Sequence, residues 1–409
     1  MPFYHGAVAN DLQNFTEEIR EYAGDDEHVV ANYRDALRDA LADYDADRLG
    51  AEIGPHPQPG AAPTDEWDES ERPVVRFERS ASWENHEAVN RFGKEVLEGM
   101  TTIAADGSEI GPTEEFTVPL GLVQVAWTAN HHHPDGDYDS DVSSHVLGPQ
   151  TVTEQAEEGG MHYIDGRVPG HERYRVEGRA VVECIRRFAD RDPTPVVVYD
   201  GPLVPLFANT YAPAVRDEYY RETMARVLAA SEHHEVPVVG YTAGTKRTNL
   251  AKMLQQAYSD RLGDAPLIAD ARVLDGFTEN WGDRSLAFVN RWGETVDELA
   301  TTYEGTEYGF AEEVLFTYLD VPGGDAMDYL EFPEWIQDAE LVDDVLDIVR
   351  AETGVGRGYP EILQQADANA VLDAGAKERF LSLVQEFADE EDLPIDWDAK
   401  TLSKERRRR

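Results

Sequence analysis

A single cysteine, Cys184, stands among 409 residues. One thiol forms no internal disulfide and cannot anchor a Cys-cluster zinc site. Basic side chains are also scarce, with 36 Lys plus Arg against 82 Asp plus Glu and a formal net charge of −46. Long apolar runs are missing too. No stretch approaches the roughly 20 apolar residues of a transmembrane helix, and the N-terminus is polar and acidic where a secretory signal would be apolar. A soluble, cytoplasmic chain with no membrane contact is therefore expected. No Gly-x-x-x-x-Gly-Lys-Ser/Thr run occurs, so ATP hydrolysis by this chain itself is not expected. No Gly-x-Ser-x-Gly elbow occurs either, which removes one route to a serine hydrolase.

The core formers are present. Hydrophobic residues make up 41% of the chain, whereas a disordered chain of this charge would have fewer. The acids are spread along the whole length, which fits a folded protein in a cytoplasm at molar salt. There the Debye length is about 3 Å and self-repulsion is screened. The competing reading of such acidity is a protein that avoids or mimics nucleic acid.

Periodicity predicts a mixed α/β fold. Phe15, Ile19, Tyr22, Val29, Tyr33, Leu37, Leu41 and Tyr44 recur at helical spacing, so residues 1–50 read as a helical arm. Prolines and glycines over 54–73 read as a linker loop. A short helix over 84–98 leads to strands at 101–106 and 116–127. A polar loop follows over 130–150, then a helix over 171–190 whose buried face is Val181, Cys184, Ile185 and Phe188. Pro195-Val196-Val197-Val198-Tyr199-Asp200 is a buried strand that Gly201-Pro202 stops. A helix over 215–231, a strand over 236–241 and a helix over 247–261 come next. Strands over 311–319 and 327–332 and helices over 338–350 and 376–390 complete the chain. That order predicts an antiparallel start and a parallel finish to one sheet. The expected domains are residues 1–75 as an acidic arm and linker, 76–385 as the catalytic domain, and 386–409 as a tail ending in the basic Lys404 and Arg406 to Arg409.

Three carboxylates stand out by their order. Asp106 ends the first strand, Glu183 lies on the helix between, and Asp200 ends the buried strand seventeen residues later. Phosphodiester hydrolysis needs an activated water and neutralisation of charge on phosphate oxygens, and two divalent ions roughly 3.5–4 Å apart supply both. Mg²⁺ and Mn²⁺ take oxygen ligands. Each residue also has a plainer explanation. Asp106-Gly107 and Asp200-Gly201-Pro202 are turn sequences. Glu183, four residues from both Arg179 and Arg187, is placed for surface ion pairs worth roughly 0.2–0.5 kcal/mol each.

The segments Ile103-Ala104-Ala105-Asp106-Gly107-Ser108, Val198-Tyr199-Asp200-Gly201-Pro202-Leu203, Val238-Val239-Gly240-Tyr241, Leu267-Ile268-Ala269-Asp270, Leu330-Glu331-Phe332-Pro333 and Gly358-Tyr359-Pro360 run in an order that resembles the NurA family of DNA nucleases. The resemblance implies an RNase H-like mixed sheet flanked by helices and a homodimer. It also implies Mn²⁺-dependent (or Mg²⁺-dependent) cleavage, with two ions, of single- and double-stranded DNA. It further implies 5′-to-3′ exonuclease and single-strand endonuclease action, and work with a HerA-type hexameric ATPase in end resection and recombinational repair. On the family pattern Asp106 and Asp200 match metal-binding aspartates, Glu183 the acid between them, and Glu331 a late acidic residue. Two positions depart from it. Asp367 stands where many members carry a histidine, and Tyr329 and Leu330 where many carry a basic residue. Asp367 remains a possible metal ligand but not an imidazole.

Seven arginines against four acids between Arg167 and Arg191 make a locally basic stretch, from which Arg179, Arg186 and Arg187, with Lys246 and Arg247 further on, are candidate DNA contacts. Pairing with the acidic surface is the competing reading. His131-His132-His133 with Asp135 and Asp137 has the residue types of a transition-metal site, but adjacent histidines point different ways, so a solvated loop is expected there. Two other functions stay open: a catalytically silent RNase H-like scaffold that binds DNA or a helicase, and an acidic Ca²⁺- or Mg²⁺-binding protein.

Overall fold

The computed structural model describes residues 5–79, 86–113, 115–155, 162–292, 298–321 and 327–395. The basic tail at Lys404 and Arg406–Arg409 lies outside them. The chain divides into two units. One comprises Met1–Ser82, Thr242–Gly293 and Leu315–Leu330, and the other Trp83–Tyr241, Glu294–Val314 and Glu331–Arg409.

The second unit is built around β-branched runs that can only be buried strands. Its elements in chain order are α1 (His86–Leu97), β1 (Thr102–Ile110), β2 (Gly121–Asn130), β3 (Tyr138–Leu147), α2 (Val168–Phe188), β4 (Val196–Asp200), α3 (Glu222–His234) and β5 (Val238–Thr242). A small hairpin, β6 (Ala300–Tyr303) and β7 (Thr306–Gly309), and three helices, α4 (Val342–Val355), α5 (Glu361–Ala370) and α6 (Ala374–Glu390), follow. The strands lie in the order β3-β2-β1-β4-β5. β1, β2 and β3 are antiparallel neighbours, while β1, β4 and β5 run parallel. The expected antiparallel start and parallel finish are therefore present.

Side chains alternate across a strand, so the two faces of β1 meet different helices. Thr102 donates its hydroxyl to Glu352 of α4 at 2.7 Å, whereas Gly107, an odd number of residues away, faces α2. Helix α2 also packs on β2 and α3, and α5 on β1, β2 and β4.

In the first unit, helices Thr16–Asp43 and Ala46–Ile53 bury Tyr33, Leu37, Leu49 and Ile53 in one core with Leu250 and Phe288. Residues from Val30 to Val74 thus share a core with segments that follow far along the chain. The Leu267-Ile268-Ala269-Asp270 segment has a structural role here. Buried Asp270 accepts from the backbone N–H groups of Leu250 and Ala251, each at 2.8 Å, capping the start of the helix Asn249–Ala257. Burial pushes its carboxyl up to about 7.

Two predicted loops are strands. Gly60–Pro63, inside the expected linker, pairs antiparallel with Phe288–Arg291, and its proline falls at the last position, where an edge strand tolerates it. Residues 138–147 form β3, exposed along nearly all its length. Its apolar residues Tyr138, Val142 and Val146 share one face but are exposed and separated by Ser140 and Ser144, so the segment reads as a polar loop. The solvated loop expected at His131-His132-His133 is not found at its first two residues, because His131 is buried and His132 partly so. His131 Nδ1 lies 3.1 Å from the Thr101 hydroxyl, and His132 Nε2 lies 3.0 Å from Glu352.

Candidate active site

The parallel register places the central pair. Thr102 pairs with Val196 and Ile103 with Val197, and the same offset sets Asp106 level with Asp200 on strands roughly 4.8 Å apart. Asp106 is not at a turn. β1 runs on through Gly107 and Ser108 to Ile110. Asp200 does end its strand, and Gly201 at φ 119° makes the turn that residues other than glycine rarely make. Asp367 on α5 adds a third carboxylate, whose charge acts on both Asp106 and Asp200. The Tyr359 hydroxyl donates to Asp200 Oδ1 at 2.9 Å, while its ring packs edge-on against Tyr241 at 5.5 Å.

On the other face α2 supplies Arg173 and Glu177. A Cβ at Gly107 would meet Glu177 Oε1 at 2.5 Å and Arg173 Cγ at 2.8 Å, so the absent side chain is what lets these two groups reach the strand beside Asp106. Arg173 donates to Glu177 Oε1 at 2.6 Å and pairs with Glu109 Oε2 at 2.8 Å. Burial would lower the Arg173 guanidinium, but Glu177 and Glu109 more than offset it and hold it above its ordinary value.

The electrostatics are those of crowded carboxylates. Burial, then the charges of Asp200 and Asp367, push Asp106 up to about 6, against a lowering hydrogen bond from the Gly107 backbone and the Arg173 charge. Burial pushes Glu177 up to about 7, with Arg173 opposing and Asp106 adding to it. Asp200 is raised by burial and by Asp367, with the Tyr359 hydrogen bond opposing. One arginine does not neutralise this group, and an all-oxygen donor set that repels itself fits hard divalent cations.

Glu183 is not part of this arrangement. Six residues beyond Glu177, it is turned about 240° round the helix, is 71% exposed and pairs with Arg186 at 3.0 Å. Glu331 is fully buried and accepts from the Val204 backbone N–H at 2.9 Å, bracing the turn that follows Asp200. Arg179, Arg186 and Arg187 occupy the exposed face of α2 with Glu183. Arg187 stacks over Trp127 at 5.1 Å and Arg186 is held by Glu183. Lys246 and Arg247 belong to the other unit, where Arg247 lies over Tyr329 at 4.8 Å. Sequence reasoning passed over Glu177, Arg173 and Tyr359. The signal for Glu177 was there: spacings of four, three and four carry it through Val181 and Cys184 to Phe188 on the buried stripe of α2.

Strand order, mixed pairing and carboxylates on adjacent central strands define an RNase H-like domain with the donor set of a metal-dependent hydrolase. The NurA domain model matches residues 100–372, two thirds of the sequence, and the chain belongs to the NurA family. That membership supports a nuclease that uses divalent metal. No curated protein matches. Among solved structures the chain is similar to the catalytic domain of human endonuclease V, with 12% identity over 78% of this chain and 100% of that one and a TM-score of 0.31. It is also similar to LC9-RNase H1, a type 1 RNase H with the type 2 active-site motif, at 12% identity, 44% and 82% coverage and a TM-score of 0.20. Aquifex aeolicus Argonaute matches at 9% identity, 67% and 28% coverage and a TM-score of 0.23. Scores this low leave strand order and the family match as the basis for the fold. Among the described residues no helix is long and apolar enough to cross a membrane.

Proposed function

We propose that this chain is a DNA nuclease whose site is Asp106, Asp200 and Asp367, with Glu177, Arg173 and Tyr359 completing it. The observation that carries the reading is that Asp106 and Asp200 lie on adjacent parallel strands near enough for the charge of Asp200 to act on Asp106, with both under the charge of Asp367. Asp106, Asp200 and Asp367 are the residues to hold Mn²⁺ or Mg²⁺. Two ions, rather than one, are what the family resemblance implies for such a site. Bound ions would supply charge neutralisation at the phosphate and a more acidic water.

The protein's own groups do the rest. Tyr359 fixes Asp200 by its Oδ1 and leaves Oδ2 for a cation. Glu177, raised to about 7, is suited to exchange a proton near neutral pH, where general acid–base groups work best. Arg173 is a fixed positive charge beside Asp106, suited to a phosphate oxygen. Arg179, Arg186, Arg187, Lys246 and Arg247 are the DNA-contact candidates. 5′-to-3′ exonuclease and single-strand endonuclease polarity, a homodimer, a cytoplasmic location and a HerA-type ATPase partner in end resection extend the reading through the family resemblance.

The test is cleavage of end-labelled single- and double-stranded DNA with Mn²⁺ in molar KCl. Loss of cleavage in Asp106→Ala and Asp200→Ala, with circular dichroism unchanged, is the expected result. Cleavage that survives in either variant overturns the site. A wild type that binds Mn²⁺ yet never cuts, with or without the ATPase, would favour the scaffold reading, for which Asp367 at the usual histidine position is the specific observation.

A further inference from the structure

Helix α3 ends on two consecutive histidines, His233 and His234, and the turn of the β6–β7 hairpin brings Glu304 against them. One ligand atom from each of these three side chains lies within 4.8 Å of the other two, and among the described residues this is the one such group of three or more His, Cys, Asp or Glu side chains. His233 Nε2 stands 3.3 Å from Glu304 Oε2, close to the spacing of two donors on a tetrahedral ion bound at roughly 2.1 Å. Both rings are oriented from behind by tyrosines. The Tyr308 hydroxyl is 2.9 Å from His233 Nδ1 and the Tyr303 hydroxyl 3.2 Å from His234 Nε2. Outer-sphere hydrogen bonds of this kind fix tautomer and ring direction at metal sites.

The turn itself is unusual. Glu304 occupies the first position of a two-residue turn, with φ 46° followed by Gly305 at φ 86°, where glycine, asparagine or aspartate is the easy residue. Arg186 also approaches Glu304, with its Nε 3.8 Å from Oε1, while Oε2 is the oxygen that faces His233.

We propose that His233, His234 and Glu304 form a second metal site that takes a borderline divalent transition ion of the Zn²⁺ class. It would clip the β6–β7 hairpin to the end of α3. Two imidazoles and one carboxylate prefer such an ion to Mg²⁺, so the site is distinct in chemistry from the all-carboxylate group at Asp106 and Asp200. Three protein donors leave a fourth position for water.

The test uses the full chain, stripped of metal, titrated with Co²⁺ in excess Mg²⁺ and followed by visible absorption and by thermal melting. One equivalent of Co²⁺ should bind with a d–d band and raise the melting temperature. The affinity should fall at least about tenfold in His233→Ala and His234→Ala, and in Glu304→Gln, while Asp106→Ala and His131→Ala keep it. His234→Gln, which retains a polar group near Tyr303, guards against a folding defect and should also lose the band. A band of equal strength in the His233, His234 and Glu304 variants, or none in the wild type, overturns the site.

Discussion

Helix α2 carries two glutamates six residues apart, and they lead different lives. Glu177 is buried, pushed up to about 7 and held by Arg173 against the strand of Asp106. Glu183 is 71% exposed, with Arg186 as a solvent-washed partner. Chain distance to Asp200 favours Glu183, but rotational phase on the helix favours Glu177. Phase decides, because about 240° of rotation moves a side chain from the sheet to the solvent and no tether length compensates. The same division sorts the arginines: Arg173 enters the site, whereas Arg179, Arg186 and Arg187 lie on the outer face.

The largest break in this comparison is expected at the carboxylates themselves. Asp106→Ala or Asp200→Ala should reduce the cleavage rate by about 10³-fold or more, since each removes a ligand group and no neighbour replaces it. Single-turnover assays with the variants at equal folding check this. Next comes Gly107→Ala. Its Cβ must displace Glu177 Oε1 or Arg173, so activity should fall at least about tenfold while the strand persists. A Gly107→Ala enzyme with wild-type rates would mean that the approach of Glu177 is unimportant.

A third prediction concerns stability in the absence of metal. Asp106 and Glu177 have native values of about 6 and about 7, above their unfolded values near 4. Between those limits the native state binds more protons than the unfolded state, so stability falls as pH rises from about 4 to 7 and stays lower above that. Asp106→Asn removes one of the crowded charges and should raise the melting temperature, by about 1–3 °C at pH 8 and by less at pH 5, while abolishing cleavage. Melting curves at the two pH values decide it, and a variant less stable at pH 8 contradicts the crowding. The smallest effect is expected on the outer face. Arg186→Ala with Arg187→Ala should leave stability within about 0.5 kcal/mol and turnover at saturating DNA unchanged, yet weaken DNA binding several-fold, as read by anisotropy. Unchanged affinity would remove that face from the DNA path.

Much of the second unit was legible because its strands are short apolar runs ended by glycine or proline. Val196–Asp200 is of that kind and Asp200 is read at its end, whereas Asp106 is read at the end of a strand over 101–106 that in fact runs on to Ile110. Where the signal failed, the reason is physical. β3 lies at an edge and is exposed along nearly all its length, and Ser140 and Ser144 interrupt the face that carries Tyr138, Val142 and Val146, so burial wrote only a weak pattern into it. Asp106-Gly107 looks like a turn, but its glycine is there to admit a helix. Glu177 keeps the phase of the buried stripe of α2 but is not counted in it from sequence alone, because a charged residue is ordinarily assigned to the solvent face. The sharing of one core by residues 30–62 with residues 250–288 is a long-range fact that local periodicity does not contain. Glu331, which the family resemblance points to as a late acidic residue, accepts a backbone N–H from Val204 and so holds the turn after Asp200.

The most direct measurement compares cleavage of end-labelled DNA by wild type, Glu177→Gln and Glu183→Gln side by side, with Mn²⁺ in molar KCl. Glu177→Gln keeps the size of the side chain and its acceptor oxygen for Arg173 but removes the charge and the proton. The expected result is a loss of about 10²-fold or more in Glu177→Gln and rates within about twofold of wild type in Glu183→Gln. The reverse order, with Glu183→Gln inactive and Glu177→Gln near wild type, would contradict the assignment of the helix face and return Glu183 to the site.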